Sequence, residues 1–262
     1  MRLELNFPPI DNNYNSGELK PSWFSRCFPS LGFYTRMYGV VNKAANLAKK
    51  GAYDDAAWST SSYDILKALE AVGVTVDVRN LSAVTNLEEP CVVVGNHMST
   101  LETFVMPYLI SPHKPVTFIV KKSLVEYPVF KHVMRSRDPI VVGRENPRED
   151  LKNMLTEGVK RLQSGISLIV FPQTTRTPVF DPSQFNSIGV KIAKKAGRKV
   201  VPVALKTDAW GNGKLLKDFG KINPKRTVRF SFGEPMEITG NGSDQQQSIV
   251  DFIQGKMDEW KT

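Results

Sequence analysis

Cysteine is scarce: Cys27 and Cys91 are the only two in 262 residues, far too few for a disulfide framework. The three histidines form no Cys/His cluster at zinc-ligand spacing, so no metal site is expected. No apolar run approaches eighteen residues, which speaks against a membrane-spanning helix. The start, MRLELNFPPI, has no basic segment followed by an apolar stretch, so no signal peptide is expected. Together these absences predict a chain kept reduced in the cytoplasm. Acid is in deficit too, since 26 Asp and Glu face 35 Lys and Arg and leave a net charge of +9. Such a surplus predicts an anionic partner: nucleic acid, a phospholipid surface or a phosphorylated small molecule. With 41% hydrophobic residues, the chain can still bury a full core in one main domain.

Residues 1–20 are polar and rich in turn-formers, predicting an irregular or docked arm. From Pro21 to Tyr38, Trp23, Phe24, Phe28, Phe33, Tyr34 and Tyr38 are interleaved with Arg26 and Arg36, and 42–50 continues as a basic helix. That mixture suits the headgroup layer of a membrane, and equally a helix pair packed on the main domain through its aromatic face. Pro29 and Gly32 predict a break between two short segments. A helix is expected over 62–71, ended by Gly73. Strand-like runs follow at 74–78, 91–95, 116–120, 139–142, 166–171, 200–205 and 227–232. Helical stretches fall at 100–110, 127–136, 147–163 and 187–196. Alternation of this kind predicts an α/β fold, a mostly parallel central sheet flanked by helices, with a small N-terminal helical segment. The expected division is an arm and helical segment at 1–60 and an α/β domain at 61–262.

Two strand ends carry chemistry. The run Val92-Val93-Val94 leads into Gly95-Asn96-His97, and Glu102 follows. Ligands of open α/β sheets bind at the C-terminal ends of strands, and a histidine held there by a carboxylate is a device for taking a proton from a hydroxyl. Residues five apart in one helix point about 140° away from each other. His97 and Glu102 therefore meet only if the histidine lies on the loop and the glutamate in the first helical turn, with Ser99 as N-cap. Ser99-x-x-Glu102 is also a capping box, in which the glutamate closes the helix start and does no chemistry. The second strand end, after Ile166–Val170, carries Phe171-Pro172-Gln173-Thr174-Thr175-Arg176-Thr177. Arginine offers a rigid fork of donors suited to phosphate, completed by hydroxyls and backbone N–H groups. A surface or bracing arginine is the plain alternative.

With both clusters in view, the chain resembles the glycerolipid acyltransferase family typified by lysophosphatidic acid acyltransferases. That family carries Asn-His-x4-Asp after one strand and Phe-Pro-Glu-Gly-Thr-Arg after a later one. Lys121-Lys122-Ser123-Leu124 with Tyr127-Pro128, ending in Ile140–Arg144, is similar to its second block, and Val200-Val201-Pro202-Val203 to its fourth. The likeness spans about residues 65–235. Glu102 stands where aspartate is commoner, giving an His-x4-Glu variant, though relatives acylating lipid A also carry glutamate there. Gln173-Thr174 replaces Glu-Gly, Ser123 stands at a usual glutamate, and Phe185–Gly189 lacks a lysine often found before that glycine.

The resemblance implies transfer of a fatty acyl group from a thioester, acyl-CoA or acyl carrier protein, to a hydroxyl of a glycerophospholipid precursor such as lysophosphatidic acid. His97 is then the general base and Glu102 its orienting carboxylate. Asn96, Lys121, Arg144, Gln173, Thr174, Thr175 and Arg176 fall on substrate-binding motifs. Backbone N–H groups at the helix start after His97 or in the 171–176 turn are the oxyanion donors. No cofactor beyond the thioester co-substrate is implied. The partners expected are a phosphorylated hydroxyl lipid and an anionic membrane surface, with the protein peripheral on the inner face of the membrane. The other reading is a lipid-surface binding protein of the same fold with altered or lost catalysis. Nucleic acid is not expected, because no helix-turn-helix, RNP or zinc-finger pattern accompanies the charge.

Overall fold

The computed structural model describes residues 5–127, 130–143, 145–213 and 217–261. In chain order the elements are β1 (Tyr14–Asn15), α1 (Trp23–Cys27), α2 (Pro29–Lys49), α3 (Asp55–Glu70), β2 (Val76–Arg79), α4 (Ser82–Thr85), β3 (Val92–Gly95) and α5 (Leu101–Ile110). Next come β4 (Val116–Lys121), α6 (Lys122–Glu126), α7 (Lys131–Ser136), β5 (Ile140–Val142), α8 (Pro147–Gln163) and β6 (Ser167–Val170). The chain finishes with α9 (Ile188–Ala196), β7 (Val200–Lys206), β8 (Val228–Phe232) and α10 (Ser243–Glu259).

The strands form one sheet in the order β1-β2-β8-β7-β3-β6-β4-β5. Pairing is parallel except between β1 and β2 and between β7 and β8. The mostly parallel α/β sheet read from the sequence is the one that forms. β3 lies at its centre, with β6 on one side and β7 on the other. Such a strand needs apolar residues on both faces, and Val92, Val93 and Val94 are all fully buried. Val93 joins the core beneath α2, α3 and α5, while Val92 and Val94 join the opposite core with residues of α8, α9 and α10. The first core continues into the arm, where Phe7 and Ile10 are buried and Tyr14 pairs with Val78. The arm is therefore docked.

Local chemistry sets the helix ends. In α8 the Asn146 side chain accepts from the amides of Arg148 and Glu149, Pro147 fills the first position, and Lys160 and Arg161 close the last turn. These are the favoured residues for each place. α2 departs from expectation, because it runs unbroken for 21 residues through Gly32. Pro29 occupies its first turn, where a missing N–H costs nothing, so the break falls only at Phe28. At Gly32 a side chain would come within 3.2 Å of Val72 Cγ1; close packing, not flexibility, is the reason for glycine there. Of the helix expected over 127–136, α7 forms at its C-terminal part, α6 ends just before it, and residues 128 and 129 lie outside the described residues. α3 begins at Asp55, capped by Asp54, so the expected boundary at 60/61 falls inside a helix.

Candidate active site

The ends of β3, β6 and β7 lie side by side, because these strands are parallel neighbours. Gly95 faces Val203 across the β3–β7 ladder. A Cβ at Gly95 would sit 2.6 Å from Val203 Cγ1 and 3.0 Å from the Val203 carbonyl oxygen, so only glycine allows this approach. Asn96 then closes the ladder. Its side-chain amide donates to the Leu205 carbonyl and accepts from the Leu205 N–H, each at 2.8 Å. Both ends of Asn96 thus serve the strand end that carries His97.

His97 and Glu102 meet as the loop-plus-first-turn argument requires. His97 Nδ1 lies 2.9 Å from Glu102 Oε1, with the histidine side chain 20% exposed and the glutamate fully buried. The imidazole ring stacks flat on Phe171, centroids 4.6 Å apart. Glu102 Oε1 also accepts from the amides of Met98 at 2.7 Å and Ser99 at 2.9 Å. Its Oε2 accepts from Ser99 Oγ at 3.0 Å and Thr207 Oγ1 at 2.6 Å. The capping box and the orienting carboxylate are therefore one group. Burial alone would push this carboxyl up, but the His97 contact and the hydrogen bonds from Thr207 and Ser99 outweigh it and hold it below its ordinary value. A carboxylate kept ionised beside Nδ1 fixes the Nδ1–H tautomer and leaves the Nε2 lone pair as the base.

The second cluster is stitched to the first. Gln173 is buried; its Oε1 accepts from the His97 amide at 2.7 Å and its Nε2 donates to Thr177 Oγ1 at 2.9 Å. The Thr177 amide donates to the His97 carbonyl at 3.0 Å. Gln173 thus braces the loop that carries His97, a task its amide can perform without a charge. Thr174 and Thr175 are exposed in this turn. Arg176 pairs with Asp218 at 2.6 Å and donates to Thr100 Oγ1. Lys121 ends β4, half-buried, at the same edge of the sheet. Arg144 lies outside the described residues. The amides of His97, Met98, Ser99 and Leu101 are all engaged by Gln173, Glu102 or Ser99.

Thr207, Asp218 and Phe171 were not singled out in the sequence for these contacts. Thr207 had a signal: it directly follows a buried strand parallel to the one carrying His97, so the two ends must be close. Asp218 had none, for it lies in the irregular connection between β7 and β8.

Comparison with known proteins bears on the family and the fold. A 1-acyl-sn-glycerol-3-phosphate acyltransferase of Pseudomonas aeruginosa is 29% identical over 170 residues, covering 65% of this chain and 62% of that protein. The chloroplastic 1-acyl-sn-glycerol-3-phosphate acyltransferase BAT2 of Brassica napus is 29% identical over 140 residues, 53% of this chain and 38% of that protein. The chain thus spans less than two thirds of the length of these curated relatives. The crystal structure of the 1-acyl-sn-glycerophosphate (LPA) acyltransferase PlsC from Thermotoga maritima shares the fold, with a TM-score of 0.66 at 20% identity over 89% of this chain and 95% of that one. The model of the Acyltransferase family matches residues 75–206, half of the chain, and that span holds the His97–Glu102 pair, its Gln173 brace and Arg176. The chain belongs to the acyltransferase family.

Proposed function

We propose that this protein transfers a fatty acyl group from a thioester, acyl-CoA or acyl carrier protein, to a free hydroxyl of a lysophosphatidic acid-like lipid. The observation that carries this reading is the 2.9 Å contact between His97 Nδ1 and a fully buried Glu102. His97 Nε2 takes the proton as the acceptor hydroxyl attacks the thioester carbonyl, and Glu102 stabilises the imidazolium that forms. Collapse of the tetrahedral adduct expels the thiolate, which recovers the proton from His97. A thioester is already activated, so no covalent intermediate on the protein is required. Arg176 is the residue we assign to the acceptor's phosphate, through its fork of donors. Lys121, Thr174 and Thr175 line the same edge as secondary contacts.

We further assign the anionic membrane surface to the first two helices. One face of α2 is docked: Phe33, Met37, Val41 and Ala44 are buried, and Phe33 and Tyr34 pack edge-on against Trp210. Trp23, Phe24, Phe28, Leu31 and Tyr38 remain exposed, Trp23 by 75%. Exposed aromatics next to Arg26 and Lys20 suit insertion at a headgroup layer. Among the described residues no helix is long and apolar enough to cross a membrane.

The test of the mechanism is His97→Ala. Loss of a general base lowers the rate by about 10²–10⁴-fold, read as thiol release, with an unchanged thermal midpoint. Near-normal turnover, or loss only through unfolding, removes His97 from the reaction.

A further inference from the structure

Two donors from the two motif loops converge on a single oxygen. Arg176 Nη1 lies 2.6 Å from Asp218 Oδ1, Thr100 Oγ1 donates to the same oxygen at 3.2 Å, and Arg176 and Thr100 touch one another. An arginine and a hydroxyl aimed at one point make a cradle for an anionic oxygen. Here the point is filled by a carboxylate of the chain itself. Asp218 is placed by a contact independent of that pair: Trp210 Nε1 donates to its carbonyl at 3.1 Å. Its side chain is 40% exposed and that of Arg176 18%, so the carboxylate can return to water cheaply while the guanidinium cannot.

We infer that Asp218 is an intramolecular competitor for the acceptor's anionic group. It occupies the oxygen position between Arg176 and Thr100 that the headgroup must take, and so sets how strong an anion must be to bind well. This inference rests on the assignment of Arg176 to the acceptor. A carboxylate that engages one guanidinium nitrogen is a weak rival to a phosphate monoester, which carries nearly two charges and can take both arms of the fork. A phosphodiester, with a single charge, gains much less from the exchange. Asp218 therefore raises the apparent constant of every headgroup by the same factor, and only an anion as strong as a phosphate monoester still binds well.

Asp218→Asn is the decisive variant, because its amide oxygen still accepts from both donors while the charge is gone. The Michaelis constant for lysophosphatidic acid should fall by up to about fivefold, the range of an ion pair of this exposure. That for a lysophosphatidylglycerol acceptor should fall by the same factor, because the same carboxylate is displaced in both cases, and inhibition by inorganic phosphate should tighten in parallel. Asp218→Glu keeps the charge and should retain acceptor constants close to wild type. Asp218→Ser guards against an artefact of the asparagine; both neutral variants must move the constants in the same direction. Arg176→Lys, run beside them, separates the two ideas. If it leaves the acceptor constant unmoved and shifts that for the thioester, Arg176 serves the donor, and the acceptor assignment and this inference fall together. If it weakens the acceptor while the neutral Asp218 variants do not tighten it, Asp218 merely orients Arg176 and only the competitor role is overturned.

Discussion

Replacing Glu102 by glutamine isolates the charge of the buried carboxylate from its shape. Glu102 Oε1 receives the His97 ring and the Met98 and Ser99 amides, while Oε2 receives two hydroxyls, from Ser99 and Thr207. Two backbone N–H groups therefore point at the Oε1 position, and a glutamine must place its oxygen there. Its –NH₂ then faces Ser99 Oγ and Thr207 Oγ1, hydroxyls that can turn to accept. The Nδ1–H tautomer of His97 survives, and so does the helix start. What is lost is the counter-charge of the imidazolium, worth about 4 kcal/mol at roughly 4 Å and an effective dielectric near 20. Allowing for the retained hydrogen bond, turnover should drop by about 10²–10³-fold, less than the roughly 10⁴-fold seen when a triad also loses its tautomer. Stability should fall by only about 1–2 kcal/mol, a few degrees in thermal midpoint. Thiol release and thermal unfolding, measured on one preparation, check both numbers. Turnover within about threefold of wild type would refute the reasoning and return Glu102 to a helix cap.

The same residue predicts a pH dependence. Its folded-state carboxyl is held below its ordinary value of 4.5. Its contribution to stability is therefore fully present above that value and is lost as pH falls through the depressed folded-state pKa. The gap in thermal midpoint between wild type and Glu102→Gln should close on acidification, not on raising the pH.

Three further outcomes follow from named contacts. Asn96→Ala strands the buried N–H and carbonyl of Leu205 and should cost about 2–4 kcal/mol; urea unfolding reads this, and an altered acceptor constant with unchanged stability would contradict it. Gln173→Ala removes the brace on the His97 amide and should lower kcat about tenfold with both Michaelis constants held, while Gln173→Glu, which keeps the acceptor oxygen, should work nearly as well as wild type. Trp23→Ser with Phe24→Ser should abolish flotation with vesicles containing anionic lipid, and flotation that ignores both the substitutions and the lipid charge would move the membrane contact elsewhere.

The sequence revealed the sheet because burial on two faces leaves a plain record. Val92–Val94, Leu168–Val170 and Val200–Leu205 are apolar runs with no polar alternation, and each became a central strand. α10 left a fainter record: Ile249, Ile253 and Met257 form one narrow buried stripe at i, i+4 and i+8 within a helix of mostly polar residues, and a search for long apolar faces passes over it. β1 has two residues, too few for any periodicity, and exists because the arm's Tyr14 pairs with Val78 at the sheet's edge.

At the site the division is similar but the reason differs. His97 and Glu102 lie in one short motif, so chain geometry alone limits how they can meet. The rest is assembled by topology. Asn96, Gln173 and Thr207 reach the pair from three strand ends that are adjacent only because β6, β3 and β7 are parallel neighbours. The motif that suggested substrate contacts for Asn96 and Gln173 could not show that both side chains are turned inward and hydrogen-bonded within the protein. Polar residues at a strand end have two employers, the ligand and the frame that presents it, and composition does not distinguish them. Burial does: Asn96 and Gln173 are buried and bonded within the frame, whereas Thr174, Thr175 and the Arg176–Asp218 pair face outward. Acceptor selectivity should therefore be altered by substitutions in the second group, while those in the first should change turnover or stability.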